Sequence, residues 1–273
     1  MKTDEFLSFM NQVRVYDLTQ PLSIHTPPWP SYVPLQVQYF KRIAGAHMGQ
    51  GANGQIITTS HHVGTHMDGE IHFHASGRTI GQVPLNEWIG PGVVVDISDQ
   101  VGDYDLYSPE MAMKKADIRK GDILIIDTGY HRYAWDQEGS DELRYFVRHP
   151  GPGPGFHKWV TDMKIKWIGV DCGSADHPMN TIIRTWHPGA FKEAEEKLKK
   201  NTGKGWDEMF PPKEYYQVMH LNLFPKKIVH AENLGGEIEK VSNQRVWIGC
   251  FPLRGIELES SMCRIVALAP PKD

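Results

Sequence analysis

The run Ser60-His61-His62-Val63-Gly64-Thr65-His66-Met67-Asp68-Gly69-Glu70-Ile71-His72-Phe73-His74 gathers five of the chain's 14 histidines and two carboxylates into one short stretch. No other segment constrains the fold as much, because its polar groups must face one surface while the apolar residues between them are buried. His62, Gly64, His66, Asp68, Glu70 and His72 carry even numbers, whereas Val63, Met67, Ile71 and Phe73 carry odd ones. In extended backbone, where successive side chains alternate, that parity makes one face of candidate ligands and one face of core. A helix would scatter them, since at about 100° per residue Asp68 and His72 turn away from the side shared by His62 and His66. A straight strand fails too: ten steps of about 3.3 Å would separate His62 from His72 by roughly 33 Å. The chain must therefore bend, and Gly64 and Gly69 are the residues that permit a bulge or sharp turn.

Neutral imidazole and carboxylate are the ligands that divalent ions such as zinc and manganese prefer. His62, His66 and Asp68 are expected on one ion with His72 nearby, while His61 reads as a packed neighbour and His74 as a surface histidine. Later in the chain, His220 ends a helix-like approach and Glu232 follows an apolar stretch. A buried glutamate needs a partner, which a metal, His72 or a structural cation would supply.

The remaining sequence sets the frame. A chain of 273 residues can bury a substantial core without staples, and nothing forces a boundary, so a single domain over 1–273 is expected. The net charge of -4 gives no basic footprint for nucleic acid. No apolar stretch approaches the length needed to span a bilayer, and the first residues lack an apolar export segment, which points to a cytoplasmic protein. Cys172, Cys250 and Cys263 are odd in number and widely spaced, so neither a disulfide framework nor a cysteine zinc cage is indicated.

Strand-like apolar runs occur at 13–18, 55–59, 93–97, 123–127, 167–170, 227–230 and 263–268. Ser108-Pro109 opens a helix toward Lys115, and Gly189 to Lys200 forms a second, solvated one. There Glu193/Lys197, Glu195/Lys199 and Glu196/Lys200 are spaced i,i+4 above an apolar stripe of Phe191, Ala194 and Leu198. Strands outnumbering helices argue for an α+β-like α/β fold rather than a doubly wound sheet. The segment from His149 to Gly155, alternating Pro and Gly, reads as irregular, and about 185–216 reads as an inserted flap. Trp29, Trp186 and Tyr215 lie in loop-like segments where an aromatic can wall a ligand pocket. The Asp171-Cys172-Gly173-Ser174-Ala175-Asp176-His177 stretch reads as a pocket-lining loop without a nucleophile elbow, and Gly203-Lys204-Gly205 is too sparse for a phosphate loop.

The spacing His62-x-Gly64-Thr65-His66-x-Asp68-x-x-x-His72 resembles the signature of the cyclase family of metal-dependent hydrolases, which includes bacterial kynurenine formamidase and isatin hydrolase. Glu70 stands where that signature has proline. Tyr16-Asp17-Leu18-Thr19, Asp127-Thr128-Gly129, Gly169-Val170-Asp171, His220, Glu232 and the run Arg264 to Leu268 follow the family's order of landmarks. The resemblance implies a swivelling β/β/α fold with a mixed central sheet or barrel-like β core and few peripheral helices, assembled as a homodimer or tetramer. It implies His62, His66 and Asp68 as primary ligands of Zn2+ or Mn2+, one or two ions per subunit. His72, Glu232 and His220 would be catalytic or would hold a second ion. The implied activity is hydrolysis of a C–N bond in a small molecule, a cyclic amide, an imide or an N-formyl aromatic amine. Lactone opening or cyclisation on the same fold is the alternative, and a non-catalytic metal- or ligand-binding protein the second. Glu70 is expected to point away from the site and change only the stiffness of its loop.

Overall fold

The computed structural model describes residues 2–45 and 51–271. Its strands are β1 (Arg14–Asp17), β2 (Gln36–Lys41), β3 (Gly54–Thr58), β4 (His66–Asp68), β5 (Ile89–Asp96), β6 (Leu106–Tyr107), β7 (Ile123–Asp127), β8 (Gly151–Pro152), β9 (Ile168–Val170), β10 (His230–Glu232), β11 (Arg245–Pro252) and β12 (Ser260–Ala269). β5, β7, β9 and β10 lie side by side in parallel. Antiparallel β11, β12 and β4 complete a closed, barrel-like ring of seven. β1 extends the sheet from the edge of β12, and β2 and β3 form a separate hairpin. The mixed α/β architecture with a barrel-like core is the one expected.

Alternation along the strands builds the two largest apolar clusters. On β7, Ile123 and Ile125 join Val94, Ile248, Ile265, Ala267, Met67 and Ala231 in one, a cluster fed by nearly every strand of the ring, which is its interior. Leu124 and Ile126 join Val93, Val95, Ile168 and Val170 in the other, covered by the helices Phe156–Asp162 and Val218–Leu223. β9 turns Gly169 inward, where a Cβ would stand 2.9 Å from Ile125 Cγ1 and 3.1 Å from Leu234 Cδ2.

Several local expectations need correction. The run expected at 227–230 becomes a strand only at His230, because Lys227 adopts a left-handed φ of 63° and closes a turn first. β11 escaped notice because Arg245, Trp247 and Phe251 leave it too polar and too aromatic on its outer side to read as an apolar run. The Pro/Gly segment after His149 is not an excursion: Gly151 and Pro152 pair with Leu106 and Tyr107, and residues 149–152 are buried. Gly151 is required there, since a Cβ would meet His177 Cα at 2.4 Å. Helices are also more numerous than expected, although most span one turn.

The helix Pro109–Lys115 begins as foreseen, with Ser108 Oγ accepting from the Met111 N–H at 3.3 Å. The long helix is Pro188–Thr202, and of its three anticipated pairs only Lys199–Glu195 forms, at 3.1 Å. Glu193 instead accepts from the Tyr104 hydroxyl and Lys197 pairs with Asp105, tying the helix to the body. Over 185–216 the chain folds into this helix and several short ones, and Ala194, Leu198, Trp206 and Phe210 pack in one cluster with Tyr145, Phe146 and Met179.

Candidate metal centre

Two short strands create the site. β4 and β10 pair antiparallel with His66 opposite Glu232 and Met67 opposite Ala231. Because side chains alternate, Met67 and Ala231 enter the ring's core, and His66, Asp68, His230 and Glu232 all emerge on the opposite face, each almost fully buried. Gly64, at φ 62°, turns the preceding chain in the left-handed conformation and brings His62 back over this ladder. Gly69 does not provide the second bend. Its backbone is extended, φ −93° and ψ 161°, and the residue is needed because a Cβ would lie 2.7 Å from Glu259 O. The turn follows it, in a single 3-10 turn at Glu70–His72.

The first three candidate ligands converge. His62 Nδ1 lies 3.1 Å from His66 Nε2 and 3.3 Å from Asp68 Oδ1, and His66 Nε2 lies 3.5 Å from Asp68 Oδ1. Ligand atoms at about 2.0–2.2 Å from one tetrahedral ion stand roughly 3.3–3.6 Å apart. His66 Nδ1 donates to Gly64 O at 2.9 Å, which leaves its Nε2 with the lone pair facing the other two.

A second, looser set shares Asp68. His220 Nε2 and His230 Nδ1 stand 3.5 and 3.7 Å from Asp68 Oδ2, and 3.8 and 3.7 Å from Glu232 Oε1. The helix Val218–Leu223 delivers His220, whose Nδ1 donates to Asp176 Oδ2 at 2.6 Å while the same carboxylate accepts from the Met219 N–H. Glu232 Oε1 accepts from the Ala175 N–H at 2.8 Å and the Ser174 hydroxyl at 3.3 Å. Among the described residues, neither oxygen of Asp68 and neither ring nitrogen of His230 has a hydrogen-bond partner, although both side chains are buried. Buried polar groups are ordinarily satisfied. Divalent cations on the Asp68 oxygens would satisfy these and His230 Nδ1, and the donor set of imidazoles and carboxylates suits zinc or manganese. The residues fit such an ion.

Electrostatics point the same way. Burial would push the His62 and His220 imidazoles down, but the nearby carboxylates, Asp68 and Glu259 for His62 and Asp176 and Asp68 for His220, lift both to about 10. Burial alone would raise Asp68, yet His72, His220, His62 and His66 hold its carboxyl well below the usual range. Protons on imidazole thus compensate the central negative charge that a cation would otherwise balance.

His72 stands beside the first set, its ring centroid 4.4 Å from that of His62 and its Nδ1 2.7 Å from Glu259 Oε2. Glu70 does point away from the cluster, but it is more than a change of loop stiffness. It is buried and accepts from Arg78 Nε at 2.8 Å and from the Arg78 N–H at 3.0 Å, closing the loop 70–78 on itself. Above the cluster, Trp29, Tyr32, Phe73, Ser174 and Gln217 line a cleft with a free floor of about 40 Å3 beside His62, Asp68, His72, His220 and Glu232. That is about the space one water occupies. Trp186 packs on Trp29 with ring centroids 5.9 Å apart. Tyr215 is not in the cleft; it packs edge-on against Phe210 and near His157.

Two participants, His230 and Glu259, were not foreseen, and Asp176 was expected only within a pocket-lining loop. His230 shares Glu232's parity, so placing the strand two residues later would have exposed it. Asp176 and Glu259 approach only through tertiary contact, and no local pattern announces either.

A family model described as "Putative cyclase" matches residues 16–177. Isatin hydrolase A from Labrenzia aggregata superposes with a TM-score of 0.75 at 18% identity, over 98% of each chain. The isatin hydrolase A of Ralstonia solanacearum gives the same figures. A structure described as a potential metal-dependent hydrolase with cyclase activity gives 0.62 at 17% identity, over 96% of this chain and 99% of that one. At these identities the likeness shows a shared fold running end to end.

Proposed function

The chain belongs to the cyclase family, and from that premise we propose that it is a metal-dependent hydrolase that cleaves the C–N bond of a small amide, a cyclic amide or imide or an N-formyl aromatic amine. One observation carries this reading. Asp68, buried and without a hydrogen bond among the described residues, faces Nδ1 of His62 and Nε2 of His66, with His72 beside an open cleft. When bound there, a divalent ion lowers the pKa of a water toward neutrality and polarises the scissile carbonyl. His62, His66 and Asp68 would hold the ion, and His220, His230 and Glu232, sharing Asp68, would be the ligands of a second one.

His72 accepts a proton from the attacking water and returns it to the nitrogen that leaves, so that hydroxyl adds to the carbonyl carbon as the C–N bond breaks. Its nitrogen opposite the Glu259 contact is the one free for this transfer. Trp29, Tyr32 and Phe73 wall the cleft and favour a planar substrate, with Trp186 supporting Trp29 from behind. The three free cysteines suit a reducing compartment such as the cytoplasm. Among the described residues no helix is long and apolar enough to cross a membrane. Exposed Val37, Tyr39, Phe40, Ile56 and Ile57 on the β2–β3 hairpin suit burial against a second copy in a homo-oligomer.

The test is turnover by zinc- and manganese-loaded protein on N-formyl aromatic amines, isatin-like lactams, imides and lactones. Amide substrates should be hydrolysed in preference to lactones. His72→Ala should retain metal while losing activity by roughly 10²–10⁴-fold. Full activity in that variant, or turnover confined to lactones, would overturn the reading.

A further inference from the structure

Glu259 belongs to neither ligand set, yet it touches the two histidines whose duties differ most. It sits just before β12, and its Oε2 lies 2.7 Å from His72 Nδ1 and 3.1 Å from His62 Nε2. The Ser260 hydroxyl, fully buried, donates to the other oxygen at 2.7 Å. Its backbone is fixed as well: the Gly69 N–H donates to Glu259 O at 2.8 Å, at the close approach that only glycine allows. The carboxylate therefore hangs from a clamped backbone over a pair of closely packed imidazoles tilted by 33°.

An ionised carboxylate only accepts hydrogen bonds, so both facing nitrogens must carry protons. On His62 this puts the hydrogen on Nε2 and leaves the Nδ1 lone pair toward His66 Nε2 and Asp68 Oδ1. On His72 it puts the hydrogen on Nδ1 and leaves Nε2 as the acceptor. We propose that Glu259 is a positioning residue that sets both tautomers at once, making His62 a ligand and His72 a base with one side chain. Asp176 does the same for His220 alone. The proposal rests on the proton-transfer role given to His72 above, but its consequences for the rings can be measured without turnover.

The experiment compares zinc-loaded wild type with Glu259→Gln in three ways: steady-state kinetics, zinc affinity by competition with a chromogenic chelator, and 15N spectra of histidine-labelled protein. Replacing the acceptor carboxylate should lower kcat roughly 10–100-fold with KM nearly unchanged, and weaken zinc by a similar factor. The His72 signals, assigned with His72→Gln, should lose their Nδ1–H pattern. In a His72→Gln background, Glu259→Gln should slow turnover no further. Unchanged tautomers with unchanged zinc affinity would overturn the proposal, and so would full multiplication of the two kinetic effects. If wild type hydrolyses nothing, the hydrolase reading fails, while the spectra and zinc affinity still decide the role of Glu259.

Discussion

Asp68 is the residue on which the two halves of the site meet. It offers one oxygen to His62 and His66 and the other to His220 and His230, and among the described residues no protein donor within hydrogen-bond geometry occupies either. At this scale much was legible, because His62, His66 and Asp68 lie within seven residues and parity alone separates them from Val63 and Met67. Glu259 and Asp176 were not legible, since their meaning lies in histidines some 200 and 44 positions away that only the fold brings near. Glu70 shows the limit of reading a substitution by its neighbours: the carboxylate is committed to Arg78, itself shared with Glu87, and among the described residues it makes no hydrogen bond to the cluster. Glu70→Ala should therefore cost on the order of 2 kcal/mol in chemical denaturation, by leaving a half-buried guanidinium without its inner partner. Metal content should be unchanged. A variant of wild-type stability that lost metal would contradict this assignment.

At the scale of elements, the ends of the parallel strands are held by a clasp apart from the candidate centre. Asp127 ends β7, Asp171 follows β9, and His131 in the next turn lies 3.3 and 3.0 Å from them. Burial pushes His131 down, but these two carboxylates raise it to about 10; burial raises Asp171, yet His131 and Thr128 bring it to about 2. A histidine raised in the folded state stabilises fully below its unfolded value of about 6.5, and the contribution fades as pH rises through 10. The stability difference between wild type and His131→Gln should accordingly be largest near pH 6 and shrink steadily toward pH 10. A difference independent of pH over that window would show that the clasp is not ionic. Elements with one dominant signal, such as β7 or the Ser108-capped helix, were readable. Those governed by partners were not: β8 is a Pro/Gly segment made regular only by β6, and β10 is displaced by the left-handed turn at Lys227.

At the scale of the molecule, closing the ring is what assembles the site. β4 pairs with β10 on one edge and β12 on the other, so residues 62–72, 174–176, 217–232 and 259–260 meet although they span most of the chain. The family match over 16–177 takes in the first three candidate ligands and Asp176, while His220, His230, Glu232 and Glu259 lie beyond it and are placed by the fold. The Val- and Ile-rich runs indicated a strand-rich α/β fold, and the family resemblance implied the barrel-like core. Its closure could not be read from the runs, since it depends on long-range registers of very short strands. The most direct test is the metal content of purified wild type and Asp68→Asn after exhaustive dialysis. The isosteric change should leave the far-ultraviolet circular dichroism intact. Wild type should keep one or two equivalents of zinc or manganese per subunit and Asp68→Asn essentially none; a folded Asp68→Asn protein with the wild-type complement would contradict the account at its centre.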